Sequence, residues 1–165
     1  MKIREETPSD IDVIRSITRA AFLSIEHSSQ TESAIVDALR ESGTLSISLV
    51  AEENNEIVGH VAFSPVTIEG DNIGWFGLGP VSVLPDRQRK GIGTTLIEDG
   101  LRRISAMKAK GCVVLGDPNY YARFGFEADP ELFLDGVPPE YFMRRAFEGD
   151  MPCGRVDYHK SFDAK

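Results

Sequence analysis

Two glycines one residue apart, Gly91 and Gly93, follow the basic turn Arg87-Gln88-Arg89-Lys90 and open the segment Ile92-Gly93-Thr94-Thr95-Leu96-Ile97. An apolar stretch ending in Val81-Ser82-Val83-Leu84-Pro85 leads into the turn. Leading out is an amphipathic helix with Ile92, Leu96, Ile97, Leu101 and Ile104 on one face. The first N–H groups of such a helix have no intrahelical partner, and the helix dipole places partial positive charge there. Glycine lets an anion come close to the backbone, and Arg87, Arg89 and Lys90 strengthen the field beside Asp86. The chemistry on offer is capture of a phosphate or pyrophosphate. It is not a Walker loop, because no lysine follows Gly93, and Leu96 stands where a dinucleotide fingerprint needs its third glycine.

The elements that must position this turn are legible in order. Lys2–Glu6 reads as a strand, and Thr7-Pro8-Ser9-Asp10 as a helix start followed by Ile11, Ile14, Ile17 and Ala21 at helical spacing. Ser29-Gln30-Thr31-Glu32 matches a capping box before a second helix with Ile35, Val36 and Leu39 inward. Leu45–Glu53 alternates as a strand, Asn54-Asn55-Glu56 turns the chain, Ile57–Ile68 returns, and Gly70-Asp71-Asn72 turns again into Ile73–Leu84. Gly77-Leu78-Gly79-Pro80 within that strand predicts a bulge, since proline cannot donate to the ladder. The helix from Gly91 is expected to stop near Lys110-Gly111, before a short apolar strand Cys112–Leu115 parallel to its predecessor. Asp129–Gly149 is too apolar to be a tail and is expected to pack over the body, with Tyr141, Phe142 and Arg144 as possible pocket residues. Gly154–His159 can form a last strand.

Gln88-x-x-Gly91-x-Gly93 after a strand resembles the coenzyme A pyrophosphate loop of the GNAT superfamily N-acetyltransferases. The second hallmark of that superfamily, Tyr-x-x-x-Gly-Phe after the fifth strand, is matched by Tyr121-Ala122-Arg123-Phe124-Gly125-Phe126. The tighter run Tyr120-Tyr121-x-Arg123-Phe124-Gly125-Phe126 resembles a bacterial branch of predicted N-acetyltransferases. Glu32-x-x-x-Val36-x-x-Leu39-Arg40, Val58-Gly59-His60 and Gly154-x-Val156-x-Tyr158 agree as well, so the likeness spans nearly the whole chain.

That resemblance implies an α/β (α+β) fold over residues 1–165 as a single domain. It would have a mixed, mostly antiparallel sheet, a bulged fourth strand splayed from the fifth, and helices on both faces. It implies acetyl transfer from acetyl-CoA to a primary amine by direct attack in a ternary complex. The pyrophosphate would lie on Gln88, Arg89, Lys90, Gly91, Ile92, Gly93 and Thr94. Backbone groups around Val81, Ser82 and Val83 would take the pantetheine arm, and Asn119 would bond cofactor or orient its turn. Attack on a thioester develops an oxyanion and expels a thiolate; a phenol of pKa about 10 keeps its proton at neutral pH and can donate to the departing sulfur. By motif position Tyr121 inherits that general-acid role, with Tyr120 as runner-up. Many relatives carry a glutamate on the fourth strand, yet Ile73–Leu84 contains no acid, so a water chain or a remote carboxylate must take the amine's proton, with Glu26, Glu32 and Asp117 as the candidate carboxylates. Glu32 has a second, structural reading as the carboxylate of the capping box. His60, on a strand between Gly59 and Val61, reads as structural.

Composition sets the outer bounds. A net charge of −8 opposes sequence-independent nucleic-acid binding. No run approaches the ~20 apolar residues of a membrane helix. Met1–Glu6 lacks the apolar core of a signal peptide, which predicts a cytoplasmic protein with Cys112 and Cys153 as free thiols. His27, His60 and His159 show no metal-site spacing, so no metal is expected. No cysteine lies in either motif, which disfavours an acetyl-enzyme intermediate. The amine acceptor is not legible, and a homodimer is possible, as in similar proteins. The alternative function is a non-catalytic acetyl-CoA-binding or partner-binding module on the same fold.

Overall fold

The structure of the protein, a computed structural model, describes residues 1–165. The chain opens with β1 (Lys2–Glu5) and a 3-10 turn at Pro8–Asp10. The Thr7 N–H donates to the Asp10 carboxylate at 2.7 Å, and Arg4 clamps the same carboxylate at 2.7 and 3.1 Å. That guanidinium holds the Asp10 pKa down at about 2. Two helices follow, α1 (Ile11–Phe22) and α2 (Glu32–Glu41), burying Ile14, Ile17, Val36 and Leu39.

The next three strands are consecutive antiparallel neighbours: β2 (Ile47–Glu53), β3 (Glu56–Ile68) and β4 (Trp75–Val83). Every residue of β2 from Ile47 to Ala51 is buried, so the expected alternation is absent. The sheet is covered on both sides. Val50 packs with Ile14, Ile17 and Val36 on the α1/α2 face. Leu49 and Ala51 pack on the opposite face with Leu96 and Ile97 of α3 (Ile92–Ala106). Leu45 stays out of β2 because its N–H caps the Leu39 carbonyl at the end of α2.

The helix α3 stops one turn before the expected Lys110-Gly111. Lys108 takes the left-handed conformation, and the N–H groups of Lys108 and Ala109 close on the carbonyls of Ser105 and Ile104. This is the Schellman arrangement with lysine in the place glycine usually holds. The chain continues through β5 (Gly111–Leu115), the short α4 (Pro118–Tyr121), β6 (Glu127–Ala128), β7 (Leu132–Phe133), β8 (Phe142–Ala146) and β9 (Gly154–Tyr158). Strand order is β1-β2-β3-β4-β5-β8-β6, with β9 pairing the far end of β3 and β7. Only β4–β5 and β7–β9 are parallel.

Two irregularities in β4 position everything that follows. Between the pairs Val61–Val81 and Phe63–Leu78 the chain spends one extra residue on β4, a bulge at Gly79-Pro80. Pairing to β5 covers Trp75, Phe76 and Gly77 and then ceases. Past Gly77 the two strands part, and β5 continues alone against β8 to Leu115. The predicted splay is present, and it opens at the bulge.

Candidate active site

The turn leaving β4 is shaped for an anion. Arg89 and Gly91 both adopt left-handed backbone, at φ 64° and 85°, on either side of Lys90. Such a kinked run of peptides turns its N–H groups into a concavity. Gly91 is the N-cap of α3, no side chain caps the helix, and no acid lies in its first turn. A Cβ on Gly91 would meet nothing within 4 Å, so the mouth of the helix is open. The Gln88 side-chain amide donates to the Val83 carbonyl at 3.0 Å, tying the turn to the end of the strand.

These residues border a cleft of about 580 Å³ whose lining includes Val81, Val83, Gln88, Arg89, Gly91 and Gly93. Ile92 and Thr94 also line it. Lys90 is exposed outside that lining, and the Ser82 side chain is buried toward β3, which leaves only its backbone available. Asn119 is exposed on α4, its N–H held by the Asp117 carboxylate at 2.9 Å, and it lines neither this cleft nor the cavity described below. Arg123, which the motif contains but which was not expected at the site, is part of the lining. Its Nε donates to the Tyr120 carbonyl at 2.9 Å and its guanidinium lies 4.4 Å from the centre of the Tyr120 ring. The spacing Tyr120-x-x-Arg123 on one helical turn was the available signal. Arg87 is partly neutralised by Glu53 at 3.4 Å, whereas Arg89, Lys90 and Arg123 form no ion pair.

The two tyrosines have different surroundings. Tyr120 turns to the helix mouth, its hydroxyl 3.1 Å from the Thr94 hydroxyl. Tyr121 packs edge-on to Phe126 and lies over Gly116, where any Cβ would strike its ring. Its hydroxyl makes no hydrogen bond within the chain and is not sealed from solvent. Burial of the ring pushes the phenol pKa up to about 12. Tyr121 therefore holds its proton throughout the neutral range.

On the other side of the bulge lies a second cavity, of about 1010 Å³, bordered by Leu78, Gly79, Pro80, Leu115 and Gly116. Phe22 at the end of α1 lines both this cavity and the cleft, so the two meet there. Glu32 and Asp117 are its carboxylates. The expected capping box is not formed: Thr31 is the N-cap of α2, Ser29 bonds Thr31, and the Ser28 hydroxyl lies 2.8 Å from both Glu32 carboxylate oxygens. Glu32 begins the helix instead of closing its cap, and is freed to face the cavity. Glu26 is exposed and lines neither space. Tyr141 lines the cavity as expected; Phe142 is core, and Arg144 is held by Glu127 and Asp129. Leu134, Val137, Tyr158 and Phe162 were missed as lining residues, because they come from segments far from α2 in sequence.

His60 is buried on β3, opposite Ser82 of β4, with Nε2 2.8 Å from the Ser48 hydroxyl. Burial pushes its pKa down to about 4. It is neutral and structural. Cys112 is buried with its thiol pKa pushed far up, so it offers no thiolate nucleophile. No group of three His, Cys, Asp or Glu side chains is placed to hold a metal ion, and no helix is long and apolar enough to cross a membrane.

Comparison with known proteins agrees with this geometry. Residues 45–128 match the family model for the acetyltransferase (GNAT) domain. The chain is 32% identical over 170 residues to the uncharacterized N-acetyltransferase YhbS of Escherichia coli K12, covering 99% of each. The crystal structure of YhbS with CoA superposes with a TM-score of 0.90 at 31% identity, over 98% of this chain and 91% of that one. A GNAT family acetyltransferase from Brucella melitensis, solved with acetyl-CoA, is 51% identical with a TM-score of 0.89, over 98% and 97%. The chain belongs to the GNAT acetyltransferase family.

Proposed function

We propose that this chain, acting as one unit over residues 1–165 in the cytoplasm, moves the acetyl group of acetyl-CoA to a primary amine. The observation that carries this reading is the parting of β4 from β5 beyond Gly77, directly beside an uncapped and cation-flanked helix start. The residues fit the cosubstrate: Gln88 to Thr94 and Arg123 would hold its diphosphate, and the unpaired edge of β4 at Val81 to Val83 would receive its amide-bearing arm. The 51% identical Brucella protein was solved with acetyl-CoA, which supports the same ligand here.

Acetyl-CoA supplies the acyl group, and the protein's residues supply position and protons. The amine nitrogen forms the new bond to the acetyl carbon while the carbon–sulfur bond breaks. Tyr121 donates its phenolic proton to the leaving sulfur and is reprotonated from solvent. Glu32 takes the proton released by the amine, directly or through water. Tyr120, bonded to Thr94 at the helix mouth, steadies the phosphate end. The absence of an acid from β4 favours one rival, a module that binds acetyl-CoA without turnover.

The discriminating experiment measures coenzyme A thiol release from acetyl-CoA against a panel of amines, alongside calorimetric binding of acetyl-CoA. Amine-dependent release is the expected result. Tight binding with no release above the hydrolytic background would identify the binding module.

A further inference from the structure

The acceptor cavity says more about its occupant than that it is an amine. Seventeen residues line it, and none is lysine or arginine. His27 is its only basic side chain, against the two carboxylates of Glu32 and Asp117. Asp117 Oδ1 already accepts the Asn119 N–H, whereas Glu32 is held only by the Ser28 hydroxyl. Ile35, Leu134, Val137, Tyr158 and Phe162 supply walls that are predominantly apolar. The ring of Tyr158 lies over Gly77, where the two strands begin to part, so this apolar wall extends to the wedge itself.

Resting on the acetyltransferase reading above, we propose that the acceptor is a primary amine on an apolar aryl or alkyl body with no carboxylate or phosphate. Its ammonium group sits at Glu32, and its body lies against Leu134, Val137 and Tyr158. Two effects decide the class. An apolar body gains by leaving water for such walls. A carboxylate or phosphate on the acceptor would lose part of its hydration against these walls without an arginine or lysine to pair with, which disfavours it. A polyamine fares less well for the complementary reason: a second ammonium has only Asp117, already bonded to the Asn119 N–H, and any further one would lie against apolar walls.

Three acceptors separate these effects: phenethylamine, L-phenylalanine (the same body with a carboxylate added) and spermidine (cationic with no apolar body). Thiol release with phenethylamine is expected to exceed that with either of the others by about tenfold or more in kcat/KM. Leu134→Arg places a cation in the cavity and is expected to narrow the gap between phenethylamine and L-phenylalanine. Its acetyl-CoA affinity and thermal midpoint show that the fold is kept. Equal or better use of L-phenylalanine or spermidine would overturn the substrate class while leaving acetyl transfer intact. Release with none of the three, at saturating bound acetyl-CoA, would overturn both. The wild-type ranking decides the matter even if the Leu134 variant does not fold.

Discussion

The two sides of the β4 bulge are opposites in charge and in construction. The donor side is made mostly from one run, Val81 to Thr94, with Tyr120 and Arg123 from α4 and the turn after it and Ala21, Phe22 and Ile25 from the end of α1 and beyond, and it gathers unpaired cations on a chain of net charge −8. The acceptor side draws on the end of α1, the start of α2, the loop around Leu134 and the end of β9, and it has two carboxylates and no lysine or arginine. In the function proposed above, the donor would be recognised by backbone N–H groups and a helix dipole, which any suitable turn sequence provides. The acceptor would be recognised by side chains that only the finished fold brings together. A single shared residue, Phe22, joins the two spaces; Tyr121 lines neither, and its ring lies over Gly116, which borders the acceptor side.

The sharpest way to break this division is at the phenol. Tyr121→Phe is expected to lower kcat by about 100-fold or more, the usual magnitude for losing a general acid. Its acetyl-CoA affinity should stay within about twofold, because Tyr121 does not line the donor cleft. A comparable loss in Tyr120→Phe, with Tyr121→Phe near wild type, would exchange their roles. With its pKa near 12, Tyr121 should not produce a basic limb in the rate profile below about pH 10.

A smaller effect belongs to the donor side alone. Gly91→Val forces a β-branched residue into φ near 85°, at a cost of about 1–2 kcal/mol, and crowds the mouth of the helix. Acetyl-CoA affinity measured by calorimetry should fall about tenfold, with the ranking of amines unchanged. A changed amine ranking would mean the two sides are not separable.

The effect furthest from the site is on stability and concerns the sheet face beneath α1 and α2. His60 is neutral in the fold, with a pKa near 4 against about 6.5 in the unfolded chain. Between those values the unfolded chain binds more protons, so stability falls as pH is lowered from about 6.5 to 4, by at most ~1.4 kcal/mol per unit. His60→Gln should flatten that slope in pH-dependent denaturant melts, and an unchanged slope would place the acid sensitivity elsewhere.

The same contrast explains what could be read from the chain. Gln88-x-x-Gly91-x-Gly93 and Tyr121-x-x-x-Gly125-Phe126 are local: neighbours in sequence make the turn, so type and spacing carry the geometry. The bulge at Gly79-Pro80 was legible for the same reason, since proline and glycine act on their own backbone. The errors came where a local rule had a tertiary competitor. Ser29 and Glu32 have capping-box spacing, but Ser28 bonds the carboxylate instead. Gly111 looked like the stop for α3, but Lys108 accepts the left-handed position a turn earlier. The alternation of β2 failed because both faces of the sheet are covered. The apolar wall of Leu134, Val137 and Tyr158 left no local trace, because its members meet only through the pairing of β7 with β9 and of β9 with β3.

Hydrogen–deuterium exchange with and without acetyl-CoA tests the arrangement most directly. Saturating acetyl-CoA should protect the amides of Gly91 to Thr94 and of Val81 to Val83, and leave those of Leu134 to Tyr141 exchanging as in the free protein. Protection confined to the Leu134–Tyr141 segment, with the helix start unprotected, would contradict a donor arm seated between the parted strands.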